Sequence, residues 1–502
     1  MSFFRSLTFL PLAWGCLAAA SVQPQAVAAA EKTEVISLDA AIRRAVAKNF
    51  TIKSDSYDVA IANARVLEQL GIFDPQLTGS YGYVENENPA ATFSGGVRDF
   101  TTTQSDRYEL GVNGLLPWGL TYTLGATSTN SRGTFNLFAD SYSSFGGVTA
   151  RQPLLRGFGW GSTTAPIRIA MTSRTISEWQ FKQSVIDTVT RVVYAYYDLN
   201  FAHASLRSAH RSRELAAQLL DENEKRFRVG AMSAFDVTSA RARLANREEG
   251  ILSAERFVRE AANGLKALIS DERTMRLHDW QIEIEPMTTL PLSLVHAALD
   301  FQEALTKRPD YQQARLNLKR SQINSRYQRN QLLPRVDLVG SYGYSGLDSS
   351  RETSQRLVRD RDHPSLSYGV QVTISFTFAT ERGRYRAAKF GQRQAEIDLE
   401  QLEQAIVVAV GNTAANIETT RRRVDAARIA RELGVQTLDA EQKRLRAGTG
   451  NTFFVVQQQE LLAILEVAEL RAEADYRKAL AEYDRQLGIT LEKLNIHVAV
   501  PK

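Results

Sequence analysis

The sequence predicts an α+β fold, mostly α, in which one layout is written twice. Three observations predict it. Helical periodicity runs over about Pro166–Val229 and again over about Arg382–Ala447, each roughly 95 Å long at 1.5 Å per residue and so longer than an ordinary domain is wide. Alternating runs such as Tyr368–Phe378 (YGVQVTISFTF) read as strands with one apolar and one polar face. Two glycine turns share a register. EKRFRVGAMSAFDV (Glu224–Val237) and EQKRLRAGTGNTFFV (Glu441–Val455) place Arg226 over Arg444 and Gly230 over Gly448. The register continues without a gap to Ala267-Leu268-Ile269 over Arg485-Gln486-Leu487.

From the N-terminus, residues 1–30 read as a signal segment. Arg5 supplies a positive start, Leu7–Ala20 an apolar run, and Ala28-Ala29-Ala30 a small-residue cleavage site before Glu31. The single cysteine, Cys16, lies inside it, and Ala13-Trp14-Gly15 fits a lipidation box poorly. The mature chain is therefore expected to form no disulfide and no thiolate metal site. No later apolar run has the length of a membrane helix. The formal charge of +5 is spread over helices of both signs. Arg421-Arg422-Arg423 comes without an aromatic platform, so nucleic acid is not an expected partner.

The first repeat, 31–270, holds a medium helix over about Leu38–Ile72, strands within 76–155, the long helix, the turn and a helix over 236–270. Pro166 suits a first helical turn, and Gly230 and Gly448 suit helix ends. Val185, Val189, Val192, Tyr196, Leu199, His203, Leu206 and His210 alternate spacings of four and three, a coiled-coil seam. Each long helix is expected to be matched by two medium helices stacked end to end. Residues 271–291, with QIEIEP as a short strand, form a linker at the waist of the rod. The second repeat, 292–502, holds a helix over about Leu292–Leu332, strands within 335–378, the second long helix and a helix over 453–488.

Six strand candidates follow, four in the first repeat and two in the second. PQLTGSYGY (Pro75–Tyr83) is echoed by PRVDLVGSYGY (Pro334–Tyr344), and Leu116-Pro117-Trp118-Gly119 marks a tight turn between a further pair. Glu85–Asp106, Thr129–Ser144 and Ser345–Pro364 have the polar texture of exposed loops. Short turns at one end, long loops at the other and a tyrosine-rich apolar face suit a transmembrane β-barrel. Tyr368, Val370, Val372, Ile374, Phe376 and Phe378 are its expected lipid-facing residues. Neither four nor six strands close a useful barrel, so several chains must share it. The alternative is a periplasmic helical scaffold protein whose β-head is soluble and conducts nothing.

In order and duplication, these segments resemble the TolC-type outer membrane efflux protein family. SLDAAIRRAVAKNF (Ser37–Phe50) is similar to its N-terminal helix start and LTKRPDYQQA (Leu305–Ala314) to the repeat of it. QPLLRGFG (Gln152–Gly159) is similar to its strand-to-helix passage, and RVGAMSAFDV and RAGTGNTFFV to its two periplasmic turns. The resemblance covers about Ser37–Thr490. It implies a homotrimer with a β-barrel in outer-membrane lipid and an α-barrel across the periplasm. It also implies a periplasmic adaptor (membrane fusion protein) and an inner-membrane transporter as partners in tripartite efflux or type I secretion, with no chemistry and no cofactor. The tip, where the adaptor docks and the aperture opens, would carry Arg226, Gly230, Asp236, Arg444, Gly448, Gly450, Phe454 and Gln457.

Two departures stand out. Asp236-Val237 keeps the family's turn pattern, whereas the second turn has Phe454-Val455. Phe454 then either packs inside the hairpin or makes an apolar gate. The family usually has two strands per half. The Pro117–Gly119 hairpin adds a pair, so a trimer carries 3 × 6 = 18 strands or else the hairpin lies outside the membrane. Asp236 is expected to cap its helix, or to reach Arg226 or Arg444 of a neighbouring hairpin. No catalytic set appears. His203 and His210 lack further ligands nearby, and GFGWG (Gly157–Gly161) lacks the spacing of a phosphate loop.

Overall fold

The computed structural model describes residues 33–89, 100–285 and 297–496. The signal segment with Cys16, residues 286–291 of the linker and the predicted helix start at Leu292 lie outside them. The described chain begins with β1 (Thr33–Ile36), α1 (Leu38–Lys48) and α2 (Phe50–Leu70). Strands β2 (Gln76–Pro89), β3 (Phe100–Leu115), β4 (Thr121–Gly133) and β5 (Tyr142–Pro153) follow. A short turn of helix, α3 (Trp160–Thr163), leads into α4 (Ala165–Arg228) and α5 (Ala234–Ile269). The waist holds α6 (Arg276–Asp279) and β6 (Gln281–Ile284), which pairs in parallel with β1. The layout then recurs as α7 (Ala297–Lys307), α8 (Pro309–Gln331), β7 (Arg335–Asp348), α9 (Arg351–Asp360), β8 (Pro364–Thr373), α10 (Ala379–Arg446) and α11 (Thr452–Leu487). A last turn, α12 (Thr490–Lys493), closes it.

Both medium helices expected as single rods are broken, each for a local reason. Asn49 ends α1 in an extended conformation, and its side chain accepts from the Thr51 and Ile52 amides to start α2. Pro309 has no amide hydrogen and forces Arg308 out of the helical region, to φ −63 and ψ 124. The two breaks are equivalent. Asn49 Nδ2 donates to the Leu268 carbonyl at 2.9 Å, and Arg308 Nη1 donates to the Gln486 carbonyl at 2.9 Å. Leu268 and Gln486 are matched positions of the two repeats. The duplication is thus present in the hydrogen bonds that tie each break to the end of α5 or α11.

Three expected loops are shorter than their sequences suggest. Glu85–Asp106 supplies strand to Pro89 and again from Phe100, Thr129–Ser144 is strand to Gly133 and from Tyr142, and Ser345–Pro364 contains α9. Alternation at β8 also ends early. Ile374, Phe376 and Phe378 lie beyond the strand, and Phe378 takes φ 48 just before α10. The cause sits on the neighbour, because Thr373 pairs with Arg335, the first residue of β7, and Pro334 before it cannot extend the ladder.

The helices form a layer of four columns. On the sheet side the order is α2, α4, α8, α10, and on the other side α5, α4, α11, α10, so α2 stacks on α5 and α8 on α11. Each core lies at the junction of a stack. One gathers Ile42, Ala45, Val185, Val189, Tyr196, Leu265 and Ile269; the other gathers Ala304, Ile406, Val410, Tyr476 and Leu487. The predicted seam is buried from Val185 to Leu199 and thins beyond, with His203 and Leu206 half-buried and His210 exposed.

Burial first, and the Arg207 charge second, hold the His203 imidazole below the ordinary histidine range. Its Nε2 is buried without a hydrogen bond. The unfolded chain therefore binds a proton before the native one does. Stability is full above about pH 6.5 and falls as the pH drops through the native value. The melting temperature should fall between pH 7.5 and pH 5.5, and fall less in His203→Gln; circular dichroism at both pH values checks this.

Candidate functional site

Six strands form one antiparallel sheet in the order β2-β3-β4-β5-β7-β8, with the two repeats meeting between β5 and β7. The extra hairpin β3–β4 belongs to this sheet, so six strands rather than four come from one chain. The register sorts side chains into two unlike faces. One row crosses all six strands as Leu77, Val112, Leu124, Val148, Tyr342 and Leu366. The next row on the opposite face reads Gln76, Asn113, Thr123, Thr149, Ser341 and Ser367. The apolar face is bare, with Leu366 68% and Tyr368 84% exposed, and Val370 and Val372 exposed beside them. From Val336 to Tyr344 this face holds no charged residue on β7. Those eight steps span roughly 27 Å along the strand, of the order of the apolar band of an outer-membrane barrel, about 25 Å.

Glycine lets adjacent strands approach closely on the polar face at one level of the sheet. Gly111, Gly125, Gly147 and Gly343 form one row across four adjacent strands of that face. A Cβ on Gly147 would lie 2.4 Å from the Tyr342 carbonyl oxygen, and one on Gly125 2.7 Å from that of Leu110. On the apolar face Gly340 has 3.6 Å to its nearest neighbour. Adjacent backbones therefore crowd together on the polar side and spread on the apolar side, as at a barrel corner. This crowding favours a sheet that is concave on its polar face and convex on its apolar face.

At the end far from the long helices the convex face turns polar, and α9 lies over it. Ser354 is fully buried and donates to the Gly346 carbonyl at 2.9 Å. Arg351 stacks 4.4 Å from the Tyr108 ring centre, and Ser128, Asn130 and Ser144 are buried on this part of the sheet. Sequence reasoning took this stretch for loop, although Ser354, Leu357 and Val358 fall on one face at helical spacing.

The sheet and the helix layer stay open at the same two sides. β2 and β8 are the edges of the sheet, and they are continuous with α2 and α10, the outer columns of the layer. Both columns bare apolar side chains, Tyr57, Ile61 and Leu67 on α2 and Phe390, Ile397 and Ile429 on α10.

The two turns are built alike. Gly230 has φ 74, with its amide donating to the Phe227 carbonyl and that of Ala231 to Arg226. Gly448 has φ 75, with its amide donating to Leu445 and that of Thr449 to Arg444. Both are paired-carbonyl helix ends that need a left-handed residue. The matched arginines Arg226 and Arg444 supply backbone acceptors there, while their side chains pair locally with Glu222 at 3.6 Å and Glu441 at 2.8 Å. Gly450 packs so closely that a Cβ would lie 2.7 Å from the Leu445 amide.

The predicted cap at Asp236 is corrected, because Ser233 caps α5 by accepting from the Asp236 amide. Asp236 stands at the third helical position, where its carboxylate accepts from the Ser233 hydroxyl at 2.6 Å. Asn451 plays the capping part for α11. Phe454 does not pack inside its hairpin, whose interior is Leu438, Leu445, Val455 and Leu462. It is 50% exposed and stacks edge-on against Phe453, and Gln457 is exposed beside it. Phe227, Val229 and Phe235 are exposed at the first turn, so the tip carries an apolar patch at both hairpins. Sequence reasoning singled out only Phe454 from that patch.

Comparison with known proteins agrees with this geometry. The outer membrane efflux protein family matches residues 114–270 and 301–488. The chain belongs to that family. It is 24% identical over 342 residues to the pyoverdine export outer membrane protein OpmQ of Pseudomonas aeruginosa, covering 65% of this chain and 69% of that one. Its fold is similar to the Campylobacter jejuni CmeC outer membrane channel, with a TM-score of 0.68, 15% identity and coverage of 90% and 86% of the two chains. It is similar also to the outer membrane protein VceC of Vibrio cholerae, with a TM-score of 0.66, 15% identity and coverage of 90% and 96%. The chain is an outer-membrane efflux component that extends into the periplasm. The convex apolar face is the surface of the described sheet suited to lipid.

Two outcomes follow. Val370→Arg puts a charge in the lipid band at about 2–4 kcal/mol if it lies near the midplane, so its yield in the outer-membrane fraction should collapse while Gln371→Arg, on the concave face, is recovered. Gly147→Ala should cost about 1–3 kcal/mol through backbone crowding and lower the fraction of assembled particle on native gels, with Gly340→Ala near wild type.

Proposed function

We propose that the chain is one of three identical subunits of an exit duct, which passively conducts solutes from an inner-membrane transporter to the exterior. The coincidence of the open sheet edges with the open helix edges carries this reading. A second copy set against β8 and α10 continues both layers with one operation, and repeating a head-to-tail contact of this kind closes a ring. Three copies, the number the family resemblance implies, give 3 × 6 = 18 strands. A barrel of that size leaves an aqueous channel. The concave hydroxyl and amide rows then line the lumen.

The pump would be a tripartite efflux or type I secretion assembly, with its periplasmic adaptor seated at the apolar tip around Phe235, Phe453 and Phe454. The protein contributes a passage and no chemistry, and energy comes from the inner-membrane partner. OpmQ, by its name, exports pyoverdine; the cargo here would be set by the transporter.

The test is the mass of the detergent-extracted particle, with bound detergent subtracted, followed by conductance in a planar bilayer. Three mature chains and ion conduction are expected. A monomer released by salt alone would overturn the duct and leave a periplasmic scaffold with a soluble β-head.

A further inference from the structure

The concave face carries few charges, and they are unevenly placed. Beyond the glycine row, Arg107 and Glu109 pair with each other. On the side of the long helices stand Arg151, Arg335 and Asp337. Arg151 Nε donates to Asp337 Oδ2 at 2.7 Å, and Arg335 Nε donates to the same oxygen at 3.0 Å. The Asp337 side chain is 2% exposed, while those of Arg151 and Arg335 are 34% and 52% exposed. One buried carboxylate thus holds two guanidinium groups by one oxygen and neutralises one of their two charges. Arg156, next to them, is bonded to Gln331 at 3.0 Å and Glu381 at 3.3 Å, which accounts for its charge.

Arg151, Arg335 and Asp337 line a cavity of about 440 Å³ where the sheet meets the helices, with Thr121, Thr373 and Ser375 on its wall. The carboxylate takes the Nε and Nη2 sides of Arg151 and the Nε side of Arg335. A planar guanidinium has five N–H donors, so each arginine retains donors for a second acceptor. Asp337 fixes both side chains in place, so little side-chain freedom is lost when an anion joins them.

We propose that Arg151 and Arg335 form an anion-binding site at the base of the concave face, taking small solutes that carry several carboxylate or phosphate groups. The assignment rests on the reading of that face as a lumen. Three subunits would place three such sites in one ring at the barrel mouth. Rings of arginine favour anions in a pore.

The test is calorimetric titration of citrate into the detergent-solubilised full-length particle at low ionic strength. Wild type should bind citrate. Arg335→Gln should weaken it about two- to fivefold, the range for exposed charge pairs. Asp337→Asn removes the neutralising carboxylate and should strengthen it. Native mass confirms that both variants assemble as wild type does, and the second variant keeps the test open if the first does not assemble. Absence of citrate binding in wild type, or an affinity that neither substitution moves in its stated direction, overturns the site. Planar-bilayer conductance is read separately. A particle that binds citrate as described but never conducts would sink the duct and leave the anion site standing.

Discussion

The backbone hydrogen bonds of β2 and β8 govern the rest of this structure. Each edge strand presents a row of amides and carbonyls that has no strand partner among the described residues. In water such rows are satisfied by solvent. In hydrocarbon each unpaired group costs several kcal/mol, and over ten or more residues no other interaction of the chain offsets that cost. On the proposed reading, the apolar convex face puts these edges in lipid. On that reading a single copy is not a stable state in the membrane, and the apolar columns α2 and α10 lie where a pairing copy would come. In the proposed duct, assembly and membrane insertion are two descriptions of one requirement.

Closure also needs curvature, and here the glycine row matters. A six-stranded sheet with side chains throughout its concave face would resist bending where neighbouring carbonyls converge. Gly111, Gly125, Gly147 and Gly343 remove the obstruction at one level across the seam of the two repeats. Much of the rest of that face is threonine, serine, asparagine and glutamine, with the charged Arg107, Glu109, Arg151, Arg335 and Asp337, which suits water. In the proposed duct the register alone decides which face lines the lumen, since a shift of one residue would exchange the two faces.

Much of this was legible in the residues. Both long helices, the glycine turns and the six strands follow from periodicity and from residues with restricted backbones. The same signals misled where they met tertiary context. Alternation at Ile374–Phe378 continues past the strand because it reports only local preference, whereas the strand stops for want of a partner beyond Arg335. The breaks at Asn49 and Arg308 were marked by Asn and Pro but hidden by helical periodicity on both sides. Ser233, three residues before Asp236, was the better cap candidate, and the acid drew attention through the family pattern instead. The arginine pair at Asp337 could not be read at all, because Arg151 and Asp337 lie on strands from different repeats.

The unequal halves remain to be explained, with four strands in the first repeat and two in the second although the helices match. Circumference supplies a reason. Four helix columns packed about 8–10 Å apart make an arc of roughly 32–40 Å per subunit. Strands about 4.8 Å apart, tilted by about 40°, each occupy roughly 6.3 Å of circumference. Four strands would cover about 25 Å and six about 38 Å on the same geometry. The β3–β4 hairpin therefore brings the sheet to the width of the helix layer beneath it, which in the proposed duct lets the two layers close around one axis without a step at their junction. That junction is where Arg156 ties the β5 side to Gln331 of α8 and Glu381 of α10.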